Sequence, residues 1–321
     1  MAHIYVIHEN DEWTAPLRRE LDALGLPYRE WFMDRGRLDL SVPPPQGIFY
    51  NRMSASSHAR DHRYAAEYTA AVLAWLESHG RRVLNTSRAL QLEVSKIAQY
   101  AALNAHGLRT PRTLAAVGRE EIIQAARTFD GPFISKHNRG GKGLGVRLFR
   151  GVDALIEYTD SVEFEQPVDG ITLVQEYIEA PEPFITRCEF VGRQFLYAVR
   201  ADTTQGFLLC PADECQPGDA YCPTATAATS KFKIVRDFTH PVLERYRQFI
   251  AANGIHIAGI EFILDEKGDL YTYDINTNTN YNPLAEAEAG ISGMRAVAEY
   301  LGKELSLHLE AGAARRQLAV S

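Results

Sequence analysis

The chain has little cysteine, and none of it is paired at short spacing: four residues, Cys188, Cys210, Cys215 and Cys222, with no Cys-x-x-Cys among them. That spacing, with a reducing compartment, argues against a structural zinc or disulfide cluster and leaves ordinary thiols as the expectation. No apolar run approaches the roughly 20 residues that span a bilayer, so no membrane partner is expected. Positive charge is not in excess either. A formal net charge of −7 argues against a broad nucleic-acid surface, although a local basic groove could still hold a polyphosphate. The N-terminus runs from Met1 straight into a strand pattern without a basic, apolar leader, which points to the cytoplasm. There is no internal repeat, and no Walker loop, since Lys142 is followed by Gly143 and not by Ser or Thr.

What is present is an ordinary globular composition, 45% hydrophobic and 23% charged over 321 residues, enough for two or three modules. Strand and helix patterns alternate from the start. His3 to His8 and Ile48 to Tyr50 read as buried strands, and Leu17, Leu21 and Leu24 share a helix face. The fold class is therefore α/β, beginning with an open-sheet domain over 1–92 whose ligand contacts lie at strand ends. Asn51, Arg52 and Ser54 fall there. Val94, Ile97, Ala98, Ala101 and Ala102 predict one amphipathic helix with Lys96 off its buried stripe. Further units are expected over 93–178 and 179–310, with residues 311–321 as a frayed tail.

Three patterns carry chemistry. Phe133 to Lys136 is a strand leading into Arg139-Gly140-Gly141-Lys142-Gly143-Leu144-Gly145, a hairpin tip whose backbone N–H groups can close on phosphate oxygens. A flexible turn would account for one or two of these glycines, but hardly for four flanked by Arg139 and Lys142. In Tyr271-Thr-Tyr-Asp274-Ile-Asn276 strand alternation puts Asp274 and Asn276 on one face. If the loop from the preceding strand is Lys267-Gly268, Glu261 stands opposite Asp274, and three oxygen-bearing side chains converge as hard ligands of the kind Mg2+ uses. Arg187 and Arg200 flank a turn at Gly192-Arg193 and are candidates to hold a carboxylate or a transferring phosphoryl group.

In order and spacing, Lys96, His106 to Pro111, Phe133 to Lys136, the glycine-rich tip, Gln175 to Glu179, Arg187, Glu261 and Asp274-Ile-Asn276 resemble the ATP-grasp ligases. The nearest branch contains glutathione synthetase and the ligases that add glutamate to a ribosomal protein. The resemblance implies an ATP-grasp fold of two α+β lobes behind a Rossmann-like domain. Lys96 and Lys136 would meet the phosphates of ATP, Glu176, Tyr177 and Ile178 the adenine, and Glu179 the ribose. Glu261, Asp274 and Asn276 would hold two Mg2+ ions, which Mn2+ can replace, and Arg187 and Arg200 would attend an acyl-phosphate. The implied activity joins a small-molecule or peptide carboxylate to an amine acceptor. A phosphotransferase on the same fold and a silent ATP-binding regulatory protein are the alternatives, and assembly into a homo-oligomer is left open. Two departures stand out: Asp274 replaces the usual Glu, and Thr-Asn278-Thr-Asn280-Tyr-Asn-Pro283 replaces a small Pro-Gly segment. Asn278 and Asn280 join Asn51, Arg52 and Ser54 as substrate candidates.

Overall fold

The structure is a computed structural model that describes residues 2–141, 143, 145–204 and 231–318. Lys142 and the cysteines at 210, 215 and 222 lie outside the described residues, whereas Cys188 is a buried core thiol.

The chain opens with β1 (His3–His8), α1 (Asp11–Ala23), β2 (Tyr28–Phe32), β3 (Gly47–Asn51), α2 (Ala65–Ser78) and β4 (Arg82–Leu84). The four strands form a parallel sheet in the order β2-β1-β3-β4. α1 starts where the Asn10 side chain accepts the Trp13 N–H at 3.0 Å, and it buries Leu17 and Leu21 as their spacing predicts. The sequence pattern marks only β1 and β3. β2 is an edge strand with no fully buried residue, so Tyr28-Arg-Glu-Trp-Phe32 carries no clean apolar signal.

Next come α3 (Ser87–Glu93) and α4 (Lys96–Ala105), two helices where the sequence suggests one. Ser95 breaks the run by accepting the Ala98 N–H, which restarts the helical phase. The buried face is then Gln99, Tyr100, Ala102 and Leu103, while Ile97 is 39% exposed. Lys96, one turn before Tyr100, stands on the inward side, so the expected stripe is corrected.

The second sheet is antiparallel, in the order β5-β8-β6-β7, and comprises β5 (Thr113–Ala116), α5 (Arg119–Ala126), β6 (Phe133–His137), β7 (Arg147–Phe149), α6 (Val152–Asp160) and β8 (Thr172–Glu176). Ile122, Ala126, Phe133, Phe149, Leu155 and Val174 make its core.

The third sheet, in the order β11-β10-β9-β12-β13, is built from β9 (Phe184–Val191), β10 (Gln194–Asp202), β11 (Phe232–Val235), α7 (Val242–Ala252), β12 (Ile257–Leu264) and β13 (Leu270–Asn276). One face packs Cys188, Phe190, Ile260 and Ile275 against α7 and α4. The chain ends in α8 (Pro283–Ala289) and α9 (Gly293–Leu318). α9 packs on α1, β1, β3 and β9, so its Val297, Leu301 and Leu305 share one core with Ile4, Ile48 and Val199. Within the stretch expected as a tail, residues 311–318 continue α9. No described helix is long and apolar enough to cross a membrane.

Candidate active site

A cleft of about 580 Å³ runs between the three sheets. Its floor is the end of β12 and β13, where the register brings Glu261 opposite Asp274 and Gly259 opposite Asn276. The route to this pairing differs from the two-residue loop suggested by the sequence. The connection is Asp265 to Asp269, closed by Asp265 Oδ1 accepting the Lys267 and Asp269 N–H groups. Leu264 therefore pairs with Leu270, one residue off, and a bulge at Tyr273 restores the expected register before Asp274.

The two carboxylates are neutralised from opposite sides. Lys96 Nζ donates to Asp274 Oδ1 at 2.6 Å, and Arg187 Nη1 to Glu261 Oε1 at 3.1 Å. Burial alone would raise the Asp274 carboxyl, but the charge and hydrogen bond of Lys96 outweigh it and hold the pKa below the usual value. Glu261 moves the other way, since burial raises it more than Arg187 lowers it. Asn276 Nδ2 donates to Glu261 Oε1 at 3.2 Å, leaving the amide oxygen as the end able to meet a cation. Two carboxylates and an amide oxygen around one point are hard donors that fit Mg2+.

Lys136, at the carboxyl side of β6, is buried and donates to the Tyr100 hydroxyl at 2.7 Å. Burial, aided by the charge of Lys96, lowers its pKa to about 7, with Asp274 and Glu261 pulling back. Arg187 is held more rigidly: Nε donates to Glu189 Oε1 at 2.6 Å and Nη2 to Thr279 Oγ1. Burial works against its charge, yet Glu189 and Glu261 keep the guanidinium above its usual pKa. Its plane lies over Gly259, where a Cβ would overlap the guanidinium atoms.

The cleft brings together most of the expected residues. Lys96, Lys136, Arg187, Glu261, Asp274 and Asn276 line its middle; Glu176, Tyr177, Ile178 and Glu179 one end; Gly140, Gly141 and Gly143 its cover; and Ser54, Asn278 and Asn280 the other end. Five expected residues stand elsewhere. Arg200 is exposed on the opposite face of the sheet, because it pairs with Thr186 while Val199 pairs with Arg187, and it covers the Phe184 ring. Arg139 points away from the cleft to Glu67 of α2, with Nη1 and Oε1 2.7 Å apart. Gly145, at φ +73°, packs against the His137 ring and does not line the cleft. Asn51 shapes the local turn, donating to Asn85 O and accepting the Met53 N–H. Arg52 lies behind Asn278 and Asn280.

Sequence reasoning missed several neighbours. Glu93 accepts the N–H groups of Ala55 and Thr277, tying the first sheet's loop to the third, and burial raises its carboxyl. Tyr100, Gln175, Glu189 and Thr279 support the lysine and the arginine. Gly259, also unremarked in the sequence, did carry a readable signal: an isolated glycine in a strand marks a close approach, here that of Arg187.

No family model matches the chain. A probable alpha-L-glutamate ligase of Picosynechococcus sp. is 24% identical over 240 residues, which is 74% of this chain and 73% of the relative. Among solved structures, the ATP-grasp ligase PsnB complexed with minimal precursor, Mg and ADP superposes with a TM-score of 0.63 at 16% identity, covering 94% of this chain and 97% of that one. D-alanyl-alanine synthetase A from Vibrio cholerae gives a TM-score of 0.66 at 13% identity over 95% and 99% of the two chains. The fold of this chain is that of the ATP-grasp ligases.

Proposed function

We propose that the chain is an ATP-dependent carboxylate–amine ligase working through an acyl-phosphate in the cytoplasm, where ATP is made. The observation that carries this reading is a single cleft in which Lys96, Lys136 and Arg187 meet Glu261, Asp274 and Asn276, midway between the Glu176–Glu179 strand end and the Ser54, Asn278 and Asn280 end. Phosphoryl transfer asks the protein mainly for positioning and charge neutralisation, and this arrangement supplies both.

In the proposed reaction a substrate carboxylate oxygen attacks the γ-phosphorus of ATP, the bond to ADP breaks, and an amine then displaces phosphate from the acyl carbon. Lys136 and Lys96 bind the phosphates, Arg187 stabilises charge on the transferring group, and Gly140, Gly141 and Gly143 cover it and exclude water. The Glu176 and Tyr177 N–H groups are committed to Arg112 O and Pro132 O, so the adenine contact falls to the Ile178 backbone, with Glu179 at the ribose. Glu261, Asp274 and Asn276 would hold two Mg2+ ions, or Mn2+, whose contribution is to neutralise the polyphosphate. Arg200 and Arg139 are left out of this scheme by their positions.

An ADP-release screen across amino acids, dipeptides and small carboxylates, with mass spectrometry of the products, tests it. Formation of an amide with ADP and phosphate is expected; AMP and pyrophosphate would refute the acyl-phosphate route. Arg187→Ala should lower turnover on the order of a hundredfold, and a loss within twofold would remove Arg187 from the chemistry.

A further inference from the structure

Arg52 follows β3, at the carboxyl end of the parallel sheet beside His8, where open α/β sheets take their ligands. It is only 2% exposed. Its Nε donates to Asn278 Oδ1 at 3.2 Å and its Nη2 to Asn280 Oδ1 at 2.9 Å, while Nη1 has no partner. Both acceptors are neutral amides. Arg187 offers the comparison within the same molecule: equally buried, it is bonded to two carboxylates and a threonine. Buried arginines are almost always paired, because leaving water without a counter-charge is costly. Burial accordingly pulls the Arg52 guanidinium below its usual pKa, with only the Tyr50 and Tyr281 hydroxyls opposing it.

The side chains that frame Arg52 are those that line the far end of the cleft, Asn278 and Asn280, with Ser54 beside them. A forked guanidinium with one free nitrogen, screened from the cleft by two reorientable amides, is matched in shape and charge to a carboxylate. We propose that Arg52, framed by Asn278 and Asn280, binds a second, non-reacting carboxylate of the substrate. The proposal rests on the ligase reading above, in which Arg187 attends the phosphoryl group as it passes to the reacting carboxylate. Thr279, which accepts from Arg187 Nη2, lies between Asn278 and Asn280, which accept from Arg52, so the two guanidinium groups are held by consecutive residues and the substrate class is a short dicarboxylate or an acidic amino acid.

The test is thermal unfolding of the full chain in saturating ADP and Mg2+. The probes are succinate, glutarate, L-aspartate and L-glutamate, each beside its side-chain or single-end amide. At least one diacid should raise the Tm of the wild type while its amide does not, and Arg52→Gln should lose that difference but keep the shift produced by ADP. Without added ligand, Arg52→Gln should melt no lower than wild type, because the substitution removes an uncompensated buried charge. Should that variant not fold, Asn280→Ala carries the same comparison, with a smaller diacid shift expected. Equal shifts from acid and amide, no shift from any diacid, or a variant that keeps the difference would overturn the proposal. An ADP shift without a diacid shift sinks this inference alone; the absence of an ADP shift sinks the nucleotide reading beneath it.

Discussion

Lys136 is a buried amine whose proton is loosely held, and this makes its expected role measurable. Burial and the nearby charge of Lys96 set its pKa to about 7, far below an exposed lysine. A bound polyphosphate favours the charged form, so metal-free ADP should bind more tightly as pH falls toward about 7, level off below it, and take up a proton as it binds above it. Calorimetry in buffers of different ionisation enthalpy would detect that uptake; affinity that stays flat between pH 6 and 8.5 would detach Lys136 from the phosphates. The stability contribution has the opposite sense. Between the folded pKa and the ordinary lysine value the unfolded chain holds more protons, so this group makes folding more favourable as pH rises across that window. Gly259 offers a second residue-scale test. A Cβ there collides with Arg187, so Gly259→Ala should lower turnover on the order of tenfold to a hundredfold through misplacement of the guanidinium, with little change in ADP affinity. The charged residues of the middle of the cleft were legible because Lys, Arg, Asp and Glu stand in strand or helix patterns that give them a face. Tyr100, Gln175 and Thr279 were not, since an uncharged polar residue in a core pattern gives no sign that its partner is a charged side chain of the cleft.

Elements decide which of those side chains meet, and here sequence periodicity misleads in informative ways. The α4 stripe was read from apolar residues, yet the inner face is half polar: Gln99 donates to Ile275 O and accepts the Ile275 N–H, and Tyr100 reaches Gln175. A helix wall of a polar cleft does not show its buried side as hydrophobicity. The β12–β13 pairing reached the expected register through a one-residue offset and a bulge that cancel, and no strand pattern encodes either. The same lesson applies to the glycine-rich hairpin. Composition assigns Arg139 to phosphate, but the structure uses it to fasten the hairpin base to α2 through Glu67, which Arg63 also holds. The two readings separate by mutation. If Arg139 is a fastening, Arg139→Gln and Glu67→Gln should raise the KM for ATP by the same factor, within about fivefold, the range of a half-exposed ion pair. A large loss for Arg139→Gln alone would return that residue to the nucleotide.

At the scale of the whole molecule, the last helix belongs to the first sheet as much as to the third. The open-sheet domain was legible from β1, α1, β3 and α2, but nothing in those ninety residues announces that one of its layers arrives from the other end of the chain. α9 supplies Val297, Leu301 and Leu305 to a core whose other members include residues of α1, β1 and β3 from the first unit and of β9, β10 and β12 from the third. Glu93 spans the same divide by accepting from Ala55 and Thr277. These ties bear on function because the cleft has its Ser54 end on the first unit and its Glu261 and Asp274 floor on the third, so catalytic geometry depends on their fixed relation. Leu301 is fully buried at the centre of the shared core. Leu301→Ala should cost about 2–5 kcal/mol through lost burial and the cavity left behind. Because the core is shared, the first and third units should still unfold in one transition. Fluorescence of Trp13, Trp31 and Trp75, all in the first unit, and far-ultraviolet circular dichroism should then give coincident urea curves for wild type and variant, displaced to lower midpoint in the variant. Separate midpoints would mean that α9 is merely docked on the first sheet, and the rigid cleft would lose its physical basis.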